Sequence, residues 1–252
     1  MTDSTRNPMR VLFPYVGGKK RLMSKWTLLF PPHGTYVRVF GGSGADILFK
    51  PPSTIEVFND LDSGINNLFR VLRKQEAELV RLVQRTPARS RETYCEALHT
   101  LNASDATDLD RAWAFLVVAH QGFRMAHPRL QSQSQYAGLR TNTRCMTEWL
   151  KLPETIPLVC DRLHRVQLER LDFRDVILKF DSTDTFFFVD PPYHPATRRE
   201  NLYAHEMSEQ DHAELLALLN QVKAKVFLCG YARPVSQCAA SLAAQGIQDQ
   251  KV

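Results

Sequence analysis

Apolar and polar positions follow two rhythms along this chain. In 18–30 (GKKRLMSKWTLLF) apolar residues recur at helical steps, and the run stops at Pro31-Pro32, whose rings block continuation. Residues 36–40 (YVRVF) form a short β-branched and aromatic run ended by Gly41-Gly42-Ser43-Gly44. A helical turn is predicted over 45–50, ended by Pro51-Pro52. A second strand is predicted over 54–58, followed by Asn59-Asp60-Leu61-Asp62. This strand–turn–helix–strand order is the pattern of an open, mostly parallel α/β sheet.

The middle of the chain changes rhythm. Ile65, Leu68, Phe69, Leu72, Leu79, Leu82 and Val83 recur at three- and four-residue steps, which predicts one amphipathic helix over 64–84. Helices are also predicted over 91–101 and 109–121. Residues 124–147 are polar and lack apolar periodicity, as in a long loop or an irregular hairpin, and a loop of that length inside a domain is usually functional or mobile. The α/β pattern returns with a strand over 166–171. The near-continuous apolar run Thr185-Phe186-Phe187-Phe188-Val189 reads as a central strand buried on both faces. A helix over 208–222, with Ser208 as N-cap and Asp211 at N3, a strand over 225–229 and one weak further helix complete the reading.

Composition excludes several classes. The 252 residues are 44% hydrophobic and 23% charged, as in soluble globular proteins. No apolar run approaches the ~20 residues of a membrane helix. The N-terminus is polar with no apolar h-region, so a cytoplasmic protein is expected. Cys95, Cys145, Cys160, Cys229 and Cys238 form no CxxC pair, which argues against a zinc site or a disulfide framework; no metal is expected.

The charge is unevenly placed. Residues 63–165 carry 15 Lys+Arg against 10 Asp+Glu, whereas the rest carries 17 of each, so the whole net +5 lies in the middle segment. Within it, 111–147 holds Arg111, Arg124, Arg129, Arg140 and Arg144 and no carboxylate. Such a stretch suits a polyanion, since each neutralised phosphate releases counterions; a solvated face that happens to lack acids is the alternative.

The candidate chemistry sits after the apolar strand. Ligands bind beyond the carboxyl ends of strands in open α/β sheets, and Asp190 stands there. Pro191 and Pro192 fix the backbone and remove two N–H donors, leaving carbonyls free to accept, and Tyr193 adds a flat aromatic face. Together these suit a planar group bearing an NH2.

Three elements carry a resemblance. Asp190-Pro191-Pro192-Tyr193 resembles the DPPY motif of amino-methylating nucleic-acid methyltransferases, Phe40-Gly41-Gly42-Ser43-Gly44 their FxGxG loop, and Tyr15-Val16-Gly17-Gly18-Lys19 the aromatic-x-Gly-Gly-Lys element of the Dam-like (D12 class) DNA adenine-N6 methyltransferases. Their order also matches that class, over roughly 13–62 and 166–231. The resemblance implies an α/β, Rossmann-like methyltransferase sheet. Residues 10–63 and 166–252 would be the S-adenosyl-L-methionine-binding core, and 64–165 a mainly helical inserted lobe that recognises the DNA target. It further implies transfer of a methyl group from S-adenosyl-L-methionine to adenine N6 in double-stranded DNA. A monomer is expected, with a cognate restriction enzyme as a candidate partner; the sequence itself gives neither.

The resemblance also distributes roles. Asp190, Pro191, Pro192 and Tyr193 are the expected catalytic residues. Tyr15, Gly18, Lys19, Phe40, Gly42, Gly44, Asp60, Asp172, Phe173 and Asp190 are expected at the cofactor. Gly42 and Gly44 allow a tight turn and close approach. Asp60 is placed to accept from ribose hydroxyls, with a helix-terminal acid as the competing reading, and Asp62 can cap that helix. Asp172 and Phe173 are expected at the cofactor's adenine, against a plain N-cap. Tyr15 and Lys19 are expected to border its methionine part. Arg124, Arg129, Arg140 and Arg144 are expected to divide between phosphates and bases. Cytosine-C5 methylation is excluded because no cysteine follows a proline. Amino methylation of cytosine N4 or of RNA, and a DNA-binding homologue without turnover, are the rival readings.

Overall fold

The computed structural model describes residues 9–15, 17–122, 128, 131, 136, 143–193 and 203–230, with the backbone alone for 143–145. Five strands form a single parallel sheet: β1 (Thr35–Arg38), β2 (Ile55–Asn59), β3 (Val166–Glu169), β4 (Thr185–Val189) and β5 (Lys225–Leu228), in spatial order β3-β2-β1-β4-β5. The alternation of side chains across a pleat explains the layers. Val37, Val57, Phe187 and Val189 face α9 (Phe173–Phe180) and α10 (Glu209–Leu219) in one apolar cluster. Tyr36, Phe58, Phe186 and Phe188 point the other way into the larger cluster. β4 is therefore buried along its whole length, as its unbroken apolar sequence predicts.

That second face is covered by helices of the middle segment. They are α3 (Ser63–Lys74), α4 (Glu76–Arg85), α5 (Arg91–Asn102), α6 (Asp108–Gln121), α7 (Thr143–Leu150) and α8 (Leu152–Leu163). Ile65, Leu68, Phe115, Trp149 and Ile156 share one continuous core with the sheet. A buried ion cluster ties β2 to α8. Arg162 grips Glu56 with two hydrogen bonds of 2.5 and 2.8 Å, and Lys50 pairs with the same carboxylate.

Two helices differ from the sequence reading. The single helix predicted over 64–84 is broken at Gln75 (φ −143°), which ends α3 and starts α4. The helix predicted over 18–30 shrinks to α1 (Met23–Trp26) and a 3-10 turn at Thr27–Leu29. Gly17 takes φ +68° and Gly18 N–H donates to the Tyr15 carbonyl at 3.1 Å, so the chain turns before it coils. That turn aims Lys19 inward. Elsewhere the caps match: Asp62 accepts from Gly64 N–H at 2.7 Å, and Ser208 with Asp211 forms a complete capping box. The polar stretch over 124–147 ends in α7, whose start falls inside it. No described helix is long and apolar enough to cross a membrane.

Candidate active site

From β1 the chain passes to β2 and β3 on one side, and later to β4 and β5 on the other. The carboxyl ends of β1 and β4 therefore open a crevice at the point where strand order reverses. Helix α2 (Ala45–Phe49) follows the turn after β1. The crevice is a cleft continuous with solvent. Four of the five strands deliver residues to it: Arg38 and the turn from Phe40 to Ser43 after β1, Asn59 at the end of β2 with Asp60 after it, Leu171 to Phe173 after β3, and Asp190 with Pro192 after β4. Tyr15, Gly18 and Lys19 close one side and residues 203–207 another.

The turn after β1 is held open by backbone geometry. Gly42 has φ +56°, and a Cβ there would lie 2.9 Å from Tyr15 Cε1. Its N–H donates to Asp60 Oδ2 at 2.7 Å, while Asp62 N–H donates to Asp60 Oδ1 at 2.8 Å. Burial pushes the Asp60 carboxyl up to about 6 despite those two bonds. Tyr15 stands beside it with its hydroxyl driven above the ordinary phenol range, by burial first and by the Asp60 and Asp62 charges next. Gly44, also left-handed at φ +64°, sits one step back as the N-cap of α2. Asn59 stitches the neighbouring loops: its amide donates to the Val39 and Leu171 carbonyls and accepts from Leu171 N–H.

At the end of β4, Asp190 is almost buried, with a side chain 10% exposed. Lys19 Nζ lies 2.9 and 3.0 Å from its two oxygens and donates to the Gly17 carbonyl as well. Arg38 Nη2 approaches Asp190 Oδ2 at 3.7 Å from below. Tyr193 donates its hydroxyl to Asp190 Oδ1 at 3.3 Å, and Lys19 Nζ sits 4.9 Å from the centroid of its ring. Pro191 is buried.

The far end of the cleft is built by α9 and α10. Asp172 caps α9 through Arg174 N–H at 2.9 Å. Arg174 then bonds Asp172, Asp211 and Glu214, and its hydrogen bond with that from Ser208 holds the Asp211 carboxyl down at about 2. Phe173 is buried and packs 5.9 Å from Phe40, centroid to centroid.

Ten of the thirteen core positions expected from the sequence line the cleft; Gly44, Pro191 and Tyr193 lie behind or beside it. Arg124, Arg129 and Arg140 fall outside the described residues, and Arg144 is in α7 with its side chain likewise undescribed. Sequence reasoning passed over Arg38, Asn59, Asp211 and residues 203–207, all of which line the cleft. Arg38 and Asn59 were detectable as polar residues at the ends of apolar strands. Residues 203–207 carry no comparable mark.

The described lining holds six carboxylates (Asp60, Asp62, Asp172, Asp190, Glu206, Asp211) against the cations Lys19 and Arg38, with Arg174 just outside it pairing Asp172 and Asp211, so acids still outnumber bases. With Tyr15, Phe40 and Phe173 it offers aromatic walls, acceptors and a negative field. This combination favours a flat, hydroxyl-bearing ligand that carries positive charge.

A family model described as D12 class N6 adenine-specific DNA methyltransferase matches residues 15–236. A modification methylase, StsI of Streptococcus sanguinis, is 34% identical over 83 residues, which are 32% of this chain and 12% of that protein. The chain thus matches about one eighth of that relative's length.

Proposed function

Because the chain belongs to the D12 class N6 adenine-specific DNA methyltransferase family, we propose that it transfers a methyl group from S-adenosyl-L-methionine to adenine N6 in double-stranded DNA. The observation that carries the reading is the position of Asp190. It stands at the rim of β4, beside the turn after β1, at the edge of an acidic cleft. Cofactor and target amine would thus meet where strand order reverses.

The lining suits this cofactor. Asp60, Asp172 and Glu206 supply acceptors for hydroxyl and amino groups, Phe40 and Phe173 supply ring contacts, and the excess of carboxylates favours a sulfonium. When bound, S-adenosyl-L-methionine supplies an electrophilic methyl group. The protein's own part is to make a poor nucleophile better. The N6 lone pair of adenine is delocalised into the ring. Hydrogen bonds from the amine to Asp190 and to the Pro191 carbonyl favour a tetrahedral nitrogen and localise it. The target base must first leave the duplex, at a cost of a few kcal/mol. Stacking on Tyr193 returns about 1–3 kcal/mol of it. Lys19 must release the Asp190 oxygens for the amine to reach them. Asp190 does not need to remove the proton before attack, because a neutral aromatic amine is too weak an acid; the proton leaves after transfer.

Residues 64–165 are assigned to target recognition, with Arg124, Arg129, Arg140 and Arg144 at phosphates and bases. The name of the relative, a modification methylase, supports pairing with a cognate restriction enzyme. The protein is taken to act as a monomer in the cytoplasm.

Incubation with methyl-labelled S-adenosyl-L-methionine and unmethylated duplex DNA tests the reading. Label at adenine N6, abolished by Asp190→Ala, is expected. DNA binding without label would leave a non-catalytic homologue, and label confined to RNA or to cytosine would change the substrate.

A further inference from the structure

Arg38 is the last residue of β1, and its guanidinium is among the most buried charges in the molecule, at 7% exposure. Its donors diverge to three places. Nε donates to the carbonyls of Phe40 and Gly41, at 2.7 and 2.9 Å, and so holds the turn after β1. Nη1 pairs with Asp46 of α2, a fully buried carboxylate whose other oxygen accepts from the Tyr36 hydroxyl at 2.5 Å. Nη2 faces Asp190 Oδ2 at 3.7 Å. The plane rests on Phe188, the residue paired with Arg38 across β4, at 4.9 Å from the ring centroid.

We propose that Arg38 is a positioning residue for methyl transfer: one rigid guanidinium fixes the cofactor-side turn after β1 relative to the Asp190 carboxylate after β4. The inference rests on the methyl-transfer reading above. Two loops from two strands must meet with sub-ångström accuracy; beyond the β1–β4 ladder, which ends with Val39 N–H on the Phe188 carbonyl, this buried fork of donors reaches both of them. Burial penalises the guanidinium, but Asp46 and Asp190 outweigh that penalty and keep it charged. The anchor is itself anchored, since Asp46 is held by Tyr36 and lies on the helix that follows the turn. Lysine keeps the charge but not the planar fork, so it cannot bond two carbonyls and Asp46 while facing Asp190. Lys19 is the second cation on Asp190 and must give up both its oxygens to a substrate amine, whereas Arg38 is held in place by the Phe40 and Gly41 carbonyls and Asp46.

The test uses the full chain, with single-turnover methyl transfer at saturating cofactor and duplex DNA. It is run where circular dichroism shows each variant folded, with cofactor affinity measured by calorimetry. Arg38→Ala is expected to lower the transfer rate constant about a hundredfold at saturating cofactor, as for a misplacement of about 1 Å, over and above the weaker cofactor affinity that follows from freeing the turn. Guanidinium at low millimolar concentration, but not matched sodium chloride, is expected to restore part of the rate. If Arg38→Ala does not fold, Arg38→Lys decides, with an expected loss of about tenfold. A rate for Arg38→Lys close to wild type, or a loss in Arg38→Ala that only follows the folded fraction, overturns the inference alone. Wild-type protein that leaves DNA unlabelled overturns the reading beneath it, and the inference with it.

Discussion

Lys19 Nζ bonds both carboxylate oxygens of Asp190, at 2.9 and 3.0 Å, although 171 residues separate the two in sequence. The pair joins the Gly-Gly-Lys turn to the Asp-Pro-Pro-Tyr turn. Its side chains are only 13% and 10% exposed, so solvent screens it weakly.

Removing the lysine should therefore be felt in stability. Lys19→Met leaves Asp190 with Arg38 at 3.7 Å as its remaining cation partner among the described residues, at a cost of about 2 kcal/mol. Asp190→Asn on top of Lys19→Met should recover most of that loss. Urea denaturation of the four proteins in this cycle gives the coupling, and additive single losses would show that the pair contributes nothing.

Gly42 is the position where a methyl group should do the most local damage. Alanine must adopt φ +56° there, costing about 1–2 kcal/mol, and its Cβ would meet the Tyr15 ring at 2.9 Å. Gly42→Ala should weaken cofactor binding in calorimetry more than it lowers the melting temperature, because Tyr15 and the turn form facing walls of the cleft. Binding equal to wild type would remove the turn from the cofactor site.

The ion cluster beneath the sheet makes a different prediction. Burial opposes charge on Glu56, but hydrogen bonds from Arg162 and Lys50 outweigh it and hold its carboxyl below the usual range. The resulting stability is present above the ordinary carboxylate pKa and is lost as pH falls through the lowered one. Arg162→Met should cost about 3 kcal/mol at neutral pH, since it strips a buried carboxylate of its bidentate partner. The loss should shrink on acidification below pH ~4. A melting temperature unchanged at neutral pH would count against this account.

Much of the sheet was legible because its strands are short apolar runs closed by Gly, Pro or Asp, and no competing rhythm exists at 35–38, 55–59 or 185–189. The position of Asp190 followed directly, as the first polar residue after a strand buried on both faces. The break at Gln75 was not legible, because apolar spacing continues across it and only the backbone torsion reveals it. Helix α8 was hidden by Pro153 and Pro157, which local rules read as breakers; its apolar residues Leu152, Ile156, Val159 and Leu163 are paid for by tertiary burial. Lys19 was expected at the cofactor from the Gly-Gly-Lys element, but its bond to Asp190 was not legible, since that partner lies in a distant motif. Arg38 stands out in sequence as a polar residue at the end of an apolar strand, but its partners Asp46 and Asp190 are not read from that position. Long-range ion pairs leave no local signature, and they are what join the motifs into one site.

Asp60 gives the sharpest pH prediction. Its two oxygens accept from Gly42 and Asp62 N–H, yet burial raises its carboxyl to about 6. A raised carboxyl means that folding favours the protonated form. The stability it contributes is full below the ordinary carboxylate pKa and is lost as pH climbs through about 6. Cofactor binding should run the other way. An ionised Asp60 is the stronger acceptor for ribose hydroxyls, so affinity should rise between about pH 5 and 7 and then level off. Asp60→Asn keeps the shape but cannot ionise, and in it both pH dependences should flatten over that range. Calorimetric titrations of cofactor across the interval, with urea midpoints measured alongside, separate the two effects. A wild-type affinity that does not change through pH 6, or an asparagine variant that keeps the slope, would move the ribose contact to another residue of the cleft.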